Sequence, residues 1–145
     1  MKILYAVQAT GNGHISRAMA LLPHLQRLGD VDIFLSGDNS NLSLNAPIKY
    51  RSKGLSLYFN NSGGLDYSRI IRNFRPLELR REIADLPVEK YDLVINDFEF
   101  ITSASCAKKG ISSVQVGHQA SFRSPLTPRP AQKSRMGEWL LLNYS

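Results

Sequence analysis

Two glycines, an asparagine and a histidine stand together at Gly11-Asn12-Gly13-His14, between the apolar run "KILYAV" (2–7) and a helix-like run. A turn needs one glycine or none, so a second glycine keeps backbone bare where something can approach it. A histidine in the first turn of a helix adds chemistry, because a neutral imidazole can accept a proton from a hydroxyl. Two further polar sets carry reactive groups. Asp97 and Glu99 flank Phe98. On an extended backbone both carboxylates would point the same way, and one could act as a base or orient His14. The plainer reading has Asp97 capping the helix that follows. His118 and Gln119 bring donors and acceptors to another loop. Each set also has a structural reading: a tight strand-to-helix turn, a hydrogen-bonded histidine, a polar loop. The three histidines and one cysteine are scattered without ligand spacing, so a metal is not expected.

The elements that would position these residues follow from periodicity. Residues 2–7 read as a buried strand. Apolar residues at 15, 18, 19, 22, 25 and 28 mark a helix, with Gly29 as its stop and Pro23 predicting a kink or two pieces. "VDIFLS" (31–36) is a second strand, and 37–47 is loop-like or a short helix. Residues 48–59 hold one or two short strands, and "NNSGG" (60–64) is a loop. Residues 66–85 are helical and broken near Pro76. "YDLVIND" (91–97) is a strand, 100–110 a helix with a glycine stop, and "SSVQVG" (112–117) a last strand. This alternation predicts an α/β fold, a Rossmann-like parallel sheet with crossover helices on both faces. Ligands of such sheets bind outside the carboxyl ends of the strands. All three polar sets fall at such ends, so they are expected to line one cleft.

Composition narrows the class. With 145 residues, 43% hydrophobic and 21% charged, the chain suits one globular domain rather than two or none. The domain is expected over 1–130. Proline-rich "SPLTPRPAQK" (124–133) reads as a linker, and Met136, Trp139, Leu140 and Tyr144 begin an amphipathic helix within 131–145. The chain stops inside that pattern, which points to a fragment of a longer protein. A single cysteine excludes an internal disulfide framework. Neither a signal peptide nor a spanning segment is present, so a soluble cytoplasmic protein is expected. The net charge of +6 favours an anionic partner. The excess clusters at Arg69, Arg72, Arg75, Arg80 and Arg81, and again at Arg123, Arg129, Lys133 and Arg135. Nucleic acid, an anionic membrane surface or a phosphorylated ligand would suit it, as would a merely solvated face. The dinucleotide fingerprint fails at its third glycine, where Ser16 stands, and Asp38 is a poor candidate for the ribose-binding acid, which weakens an NAD(P)-binding reading. A nucleic-acid-binding module would want aromatics among the arginines, and Tyr67, Phe74 and Phe122 lie near them.

The segment "GNGHISRAMAL" resembles the glycine-histidine loop near the N-terminus of GT-B glycosyltransferases, closest to the family 28, MurG-type branch and related predicted transferases. "YDLVINDFEF" and "SSVQVGHQASF" look like that group's strands ending in Asp-Phe-Glu and His-Gln. The resemblance spans about the whole chain. It implies one half of a two-domain enzyme, the half that mainly binds the acceptor. The missing C-terminal domain would bind a nucleotide-sugar as co-substrate, with no metal and no other cofactor. It implies catalytic roles for His14, Asp97 and Glu99, and substrate binding by Gly11, Asn12, Gly13, Arg17, His118 and Gln119. The acceptor would be an envelope glycan or glycolipid, met at the inner face of the plasma membrane by a peripheral protein. Nucleic acid is not an expected partner.

Overall fold

The computed structural model describes residues 1–10, 12–37, 44–54, 58, 66–117 and 124–128. Gly11, His118, Gln119 and the expected helix within 131–145 lie outside the described residues. Five strands form one sheet: β1 (Lys2–Gln8), β2 (Asp30–Ser36), β3 (Ile48–Ser52), β4 (Leu93–Asp97) and β5 (Val114–Gln115). Their order is β3-β2-β1-β4-β5, and every pairing is parallel. This is the expected Rossmann-like α/β fold.

β1 reads as an unbroken apolar run because it is central and covered on both faces. Ile3, Tyr5 and Val7 face one way and pack with Ile15, Ala18 and Leu22 of helix α1 (Asn12–Leu25). Leu4 and Ala6 face the other way and pack with Ile101 and Cys106 of helix α4 (Phe100–Lys109). All five β1 side chains are fully buried. Each large one contributes about 1.5–3 kcal/mol, so β1 is the rigid platform of the domain.

Helix α1 runs through Pro23 as one piece and ends two residues later, at Leu25. Of the two expected outcomes, a kink or two pieces, the division into two pieces did not occur. The proline removes only one N–H, and the chain leaves the helix through tighter bonds from Arg27 N to His24 O and from Leu28 N to Leu25 O. The break near Pro76 is present: α2 (Tyr67–Asn73) and α3 (Pro76–Asp85) are separate helices, with the proline at the start of the second. Gly110, at φ 67°, closes α4 in the left-handed conformation that glycine adopts freely. A short 3-10 turn at Val88–Lys90, absent from the periodicity, leads into β4.

The chain steps outward from β1 to β2 and β3, then crosses back to the opposite side of β1 to lay down β4 and β5. The strand order therefore reverses between β1 and β4. At such a switch point the connections leave the carboxyl ends in opposite directions and open a crevice.

Candidate functional site

His14 and Asp97, 83 residues apart in sequence, meet in this crevice: His14 Nδ1 lies 2.7 Å from Asp97 Oδ1. Register explains the meeting. Asp97 pairs with Val7 at the last position of the β1–β4 ladder, so its side chain falls on the α1 face of the sheet. His14 sits in the first turn of α1, directly above the end of β1. Arg17, one turn further along the same helix face, donates from Nη1 to Asp97 Oδ1 at 3.0 Å and to Val116 O at 3.1 Å. Asp97 is fully buried, whereas the His14 and Arg17 side chains are 14% and 27% exposed. A buried carboxylate needs a cation or strong donors, and Arg17 and His14 supply both.

The pairing has a chemical consequence. An ionised carboxylate only accepts, so Nδ1 of His14 donates to it. The neutral imidazole then carries its proton on Nδ1 and leaves Nε2 as a lone-pair acceptor. Tyr5 belongs to the same cluster: burial first, and then the Asp97 carboxylate, push its phenol pKa up. It stays a neutral hydroxyl under the Asp97–Arg17 pair.

Asp97 and Glu99 do not point the same way. Phe98 between them has φ 56°, a left-handed conformation that costs a non-glycine residue of order 1–3 kcal/mol. Asn96 holds that turn from the other face of the sheet. Its Nδ2 donates to Glu99 O and its Oδ1 accepts from Glu99 N, each at 2.7 Å. The turn sends Glu99 to the start of α4, where Oε1 accepts from Ile101 N at 2.9 Å and Oε2 from Thr102 N at 2.6 Å. Glu99 is the cap of α4, the role the sequence offered to Asp97, and it is fully buried. Its two oxygens bind backbone rather than joining the His14–Asp97 pair. The same turn stacks the Phe98 ring on the His14 imidazole, with centroids 5.8 Å apart and planes 5° from parallel. Phe98 was not among the expected site residues. Its contribution comes from an unusual backbone angle, which residue type does not announce.

Residues 1–136 match the sequence model of glycosyl transferase family 1. The chain belongs to that family. No curated protein matches it. In this family 1 chain the described part of the glycine loop is open. Asn12 and Gly13 are exposed at the helix mouth, and a Cβ added to Gly13 would meet nothing within 4 Å. Gly13 is therefore needed neither for packing nor for a left-handed φ. Gly13→Ala should leave the fold intact and, by helix propensity, raise stability by up to about 1 kcal/mol. If the empty space serves a ligand, the same change should weaken acceptor binding. Thermal melts beside acceptor titrations read the two effects separately.

The Glu99 carboxyl sits above the usual carboxylate range, because burial outweighs the backbone N–H groups that hold its charged form. A raised folded pKa contributes stability below the unfolded value, and that stability is lost as pH rises through the folded value. Glu99→Gln cannot titrate. Its melting temperature should therefore fall less than wild type between mildly acidic and neutral pH. A parallel fall in both proteins would remove Glu99 as the cause. Among the described residues, no group of three His, Cys, Asp or Glu side chains could hold a metal, and no helix is long and apolar enough to cross a membrane.

Proposed function

We propose that this chain is the acceptor-binding half of a GT-B glycosyltransferase, near the MurG-type branch, that moves a sugar from a nucleotide-sugar to a hydroxyl. The observation that carries this is the His14–Asp97 pair at the switch point of the sheet, beside an open helix mouth. Nε2 of His14 takes the proton of the acceptor hydroxyl as its oxygen bonds to the anomeric carbon. The bond from that carbon to phosphate breaks, and the nucleoside diphosphate leaves with the electron pair. Asp97 orients the imidazole and balances the charge it gains. Arg17 fixes Asp97. Gly13 leaves open space at the helix start, and in this reading Gly11 and Asn12 bind the acceptor with it. His118 and Gln119, two and three residues past Val116, complete the acceptor side in this reading. A second domain supplies the nucleotide-sugar site.

An acceptor carried by an anionic membrane agrees with the exposed side chains of α2 and α3. Ile71 and Leu77 are exposed there among Arg72, Arg80 and Arg81. The test of the reading is an assay of the full-length protein with UDP-, GDP- and dTDP-sugars and a membrane glycolipid extract. Nucleoside diphosphate release that depends on the extract is the expected result. Tight NAD(P) binding with no release from any donor would replace the reading with a dehydrogenase-type one.

A further inference from the structure

A second concavity opens at the same edge of the sheet, beyond β2 and β3, with a volume of about 600 Å³. Gly37 after β2, Ser52 and Gly54 at the end of β3, and Phe74, Glu78 and Glu82 from the α2–α3 region line it. Its wall at Gly37 adjoins the end of β1: a Cβ on Gly37 would lie 3.4 Å from the Gln8 side chain and 3.5 Å from Ala9 backbone. β3 and β1 are two strand spacings apart, so the cavity begins about 10 Å from the glycine loop.

The lining chemistry is specific. Ser52 Oγ donates to Glu82 Oε2 at 2.7 Å and accepts from Gly54 N at 2.9 Å. Arg75 Nη1 donates to Glu78 Oε1 at 2.9 Å. Each carboxylate thus has one oxygen fixed from within the protein, and the other makes no hydrogen bond among the described residues. The Arg69 guanidinium covers the Tyr58 ring at 4.4 Å and stiffens one wall. Phe74, on the lining, is 47% exposed. Arg51, also on the lining, makes no ion pair among the described residues. Arg51, Lys53 and Arg75 stand on this lining beside the two carboxylates, so it offers charged donors and acceptors together and suits a lipid tail poorly. It suits a polyol. Sugar hydroxyls donate to carboxylate oxygens and accept from a guanidinium, while the C–H face of a pyranose covers an exposed aromatic ring.

We propose that this cavity holds the uncharged saccharide portion of the acceptor, more than one sugar unit long, with the reacting hydroxyl carried toward His14. The proposal rests on the transferase reading for the role of that saccharide, but its test does not need transfer. Saturation-transfer NMR and calorimetry on the 145-residue chain would use maltose, cellobiose and N,N′-diacetylchitobiose as probes. At least one should bind in the millimolar range or tighter. Phe74→Ala, a change at a half-exposed side chain, should weaken it about tenfold, and Glu78→Gln several-fold. Binding of no disaccharide, or binding indifferent to both variants, overturns the proposal. So does pyrophosphate binding that Arg51→Ala abolishes, with no saccharide bound. Saccharide binding sensitive to Phe74→Ala in a protein that transfers nothing would sink the transferase reading and leave the cavity assignment standing. Transfer without such binding would do the reverse.

Discussion

Replacing His14 by alanine in the full-length protein should lower kcat by about 10²–10⁴-fold and leave the KM for acceptor close to the wild-type value. That is the range for a lost general base, and a base acts on the transition state rather than on ground-state binding. The variant should fold. The imidazole is 14% exposed, it contacts Phe98 and Asp97 at the surface end of the crevice, and Arg17 still holds the Asp97 carboxylate. Steady-state kinetics across acceptor concentrations check it. Turnover equal to wild type would leave His14 as a structural residue at the mouth of α1.

Asp97→Ala should be the more damaging change, because it affects both stability and turnover. Removing one member of a buried ion pair costs about 3–5 kcal/mol, and the low end applies here because the partner, Arg17, is 27% exposed. The variant loses the anchor for His14 Nδ1 and the acceptor for Arg17 in one step. Denaturant titration should show the midpoint shifted down by an amount equivalent to about 3 kcal/mol, with turnover in the full-length protein falling at least as far as in His14→Ala. Asp97→Asn separates the two effects. It keeps the volume, should recover part of the stability, and should leave turnover low because an amide does not favour the Nδ1–H tautomer.

The parts of the molecule legible in sequence are those where local pattern and tertiary context agree. The apolar run of β1, the glycine stop after α4 and the break at Pro76 all fall where periodicity and breaker residues put them. The meeting of His14 with Asp97 was legible too, because strand alternation implies a parallel sheet and a parallel sheet gathers its loops at one edge. The fate of Glu99 was not. An Asp-x-Glu spacing reads as paired carboxylates only while the backbone stays extended, and the left-handed Phe98 turns the second acid under the next helix. Which of the two acids caps α4 depends on that one dihedral angle. Pro23 did not split the helix, because a proline this near the end of a packed helix costs one bond and the buried face of α1 outweighs it. Arg17 entered only through the family resemblance, as a substrate-binding residue, and its ion pair with Asp97 required the register of β4 against β1.

Catalysis in this reading depends on Asp97 holding His14 as a base with Nε2 bare. Long-range ¹H–¹⁵N NMR of the histidine-labelled chain tests this most directly, with His24 and His118 assigned through single glutamine substitutions. The neutral His14 ring should carry its proton on Nδ1, with an unprotonated nitrogen signal at Nε2, and the Asp97→Asn chain should lose that preference. A His14 ring protonated on Nε2 in its neutral form, unchanged by Asp97→Asn, would contradict the account.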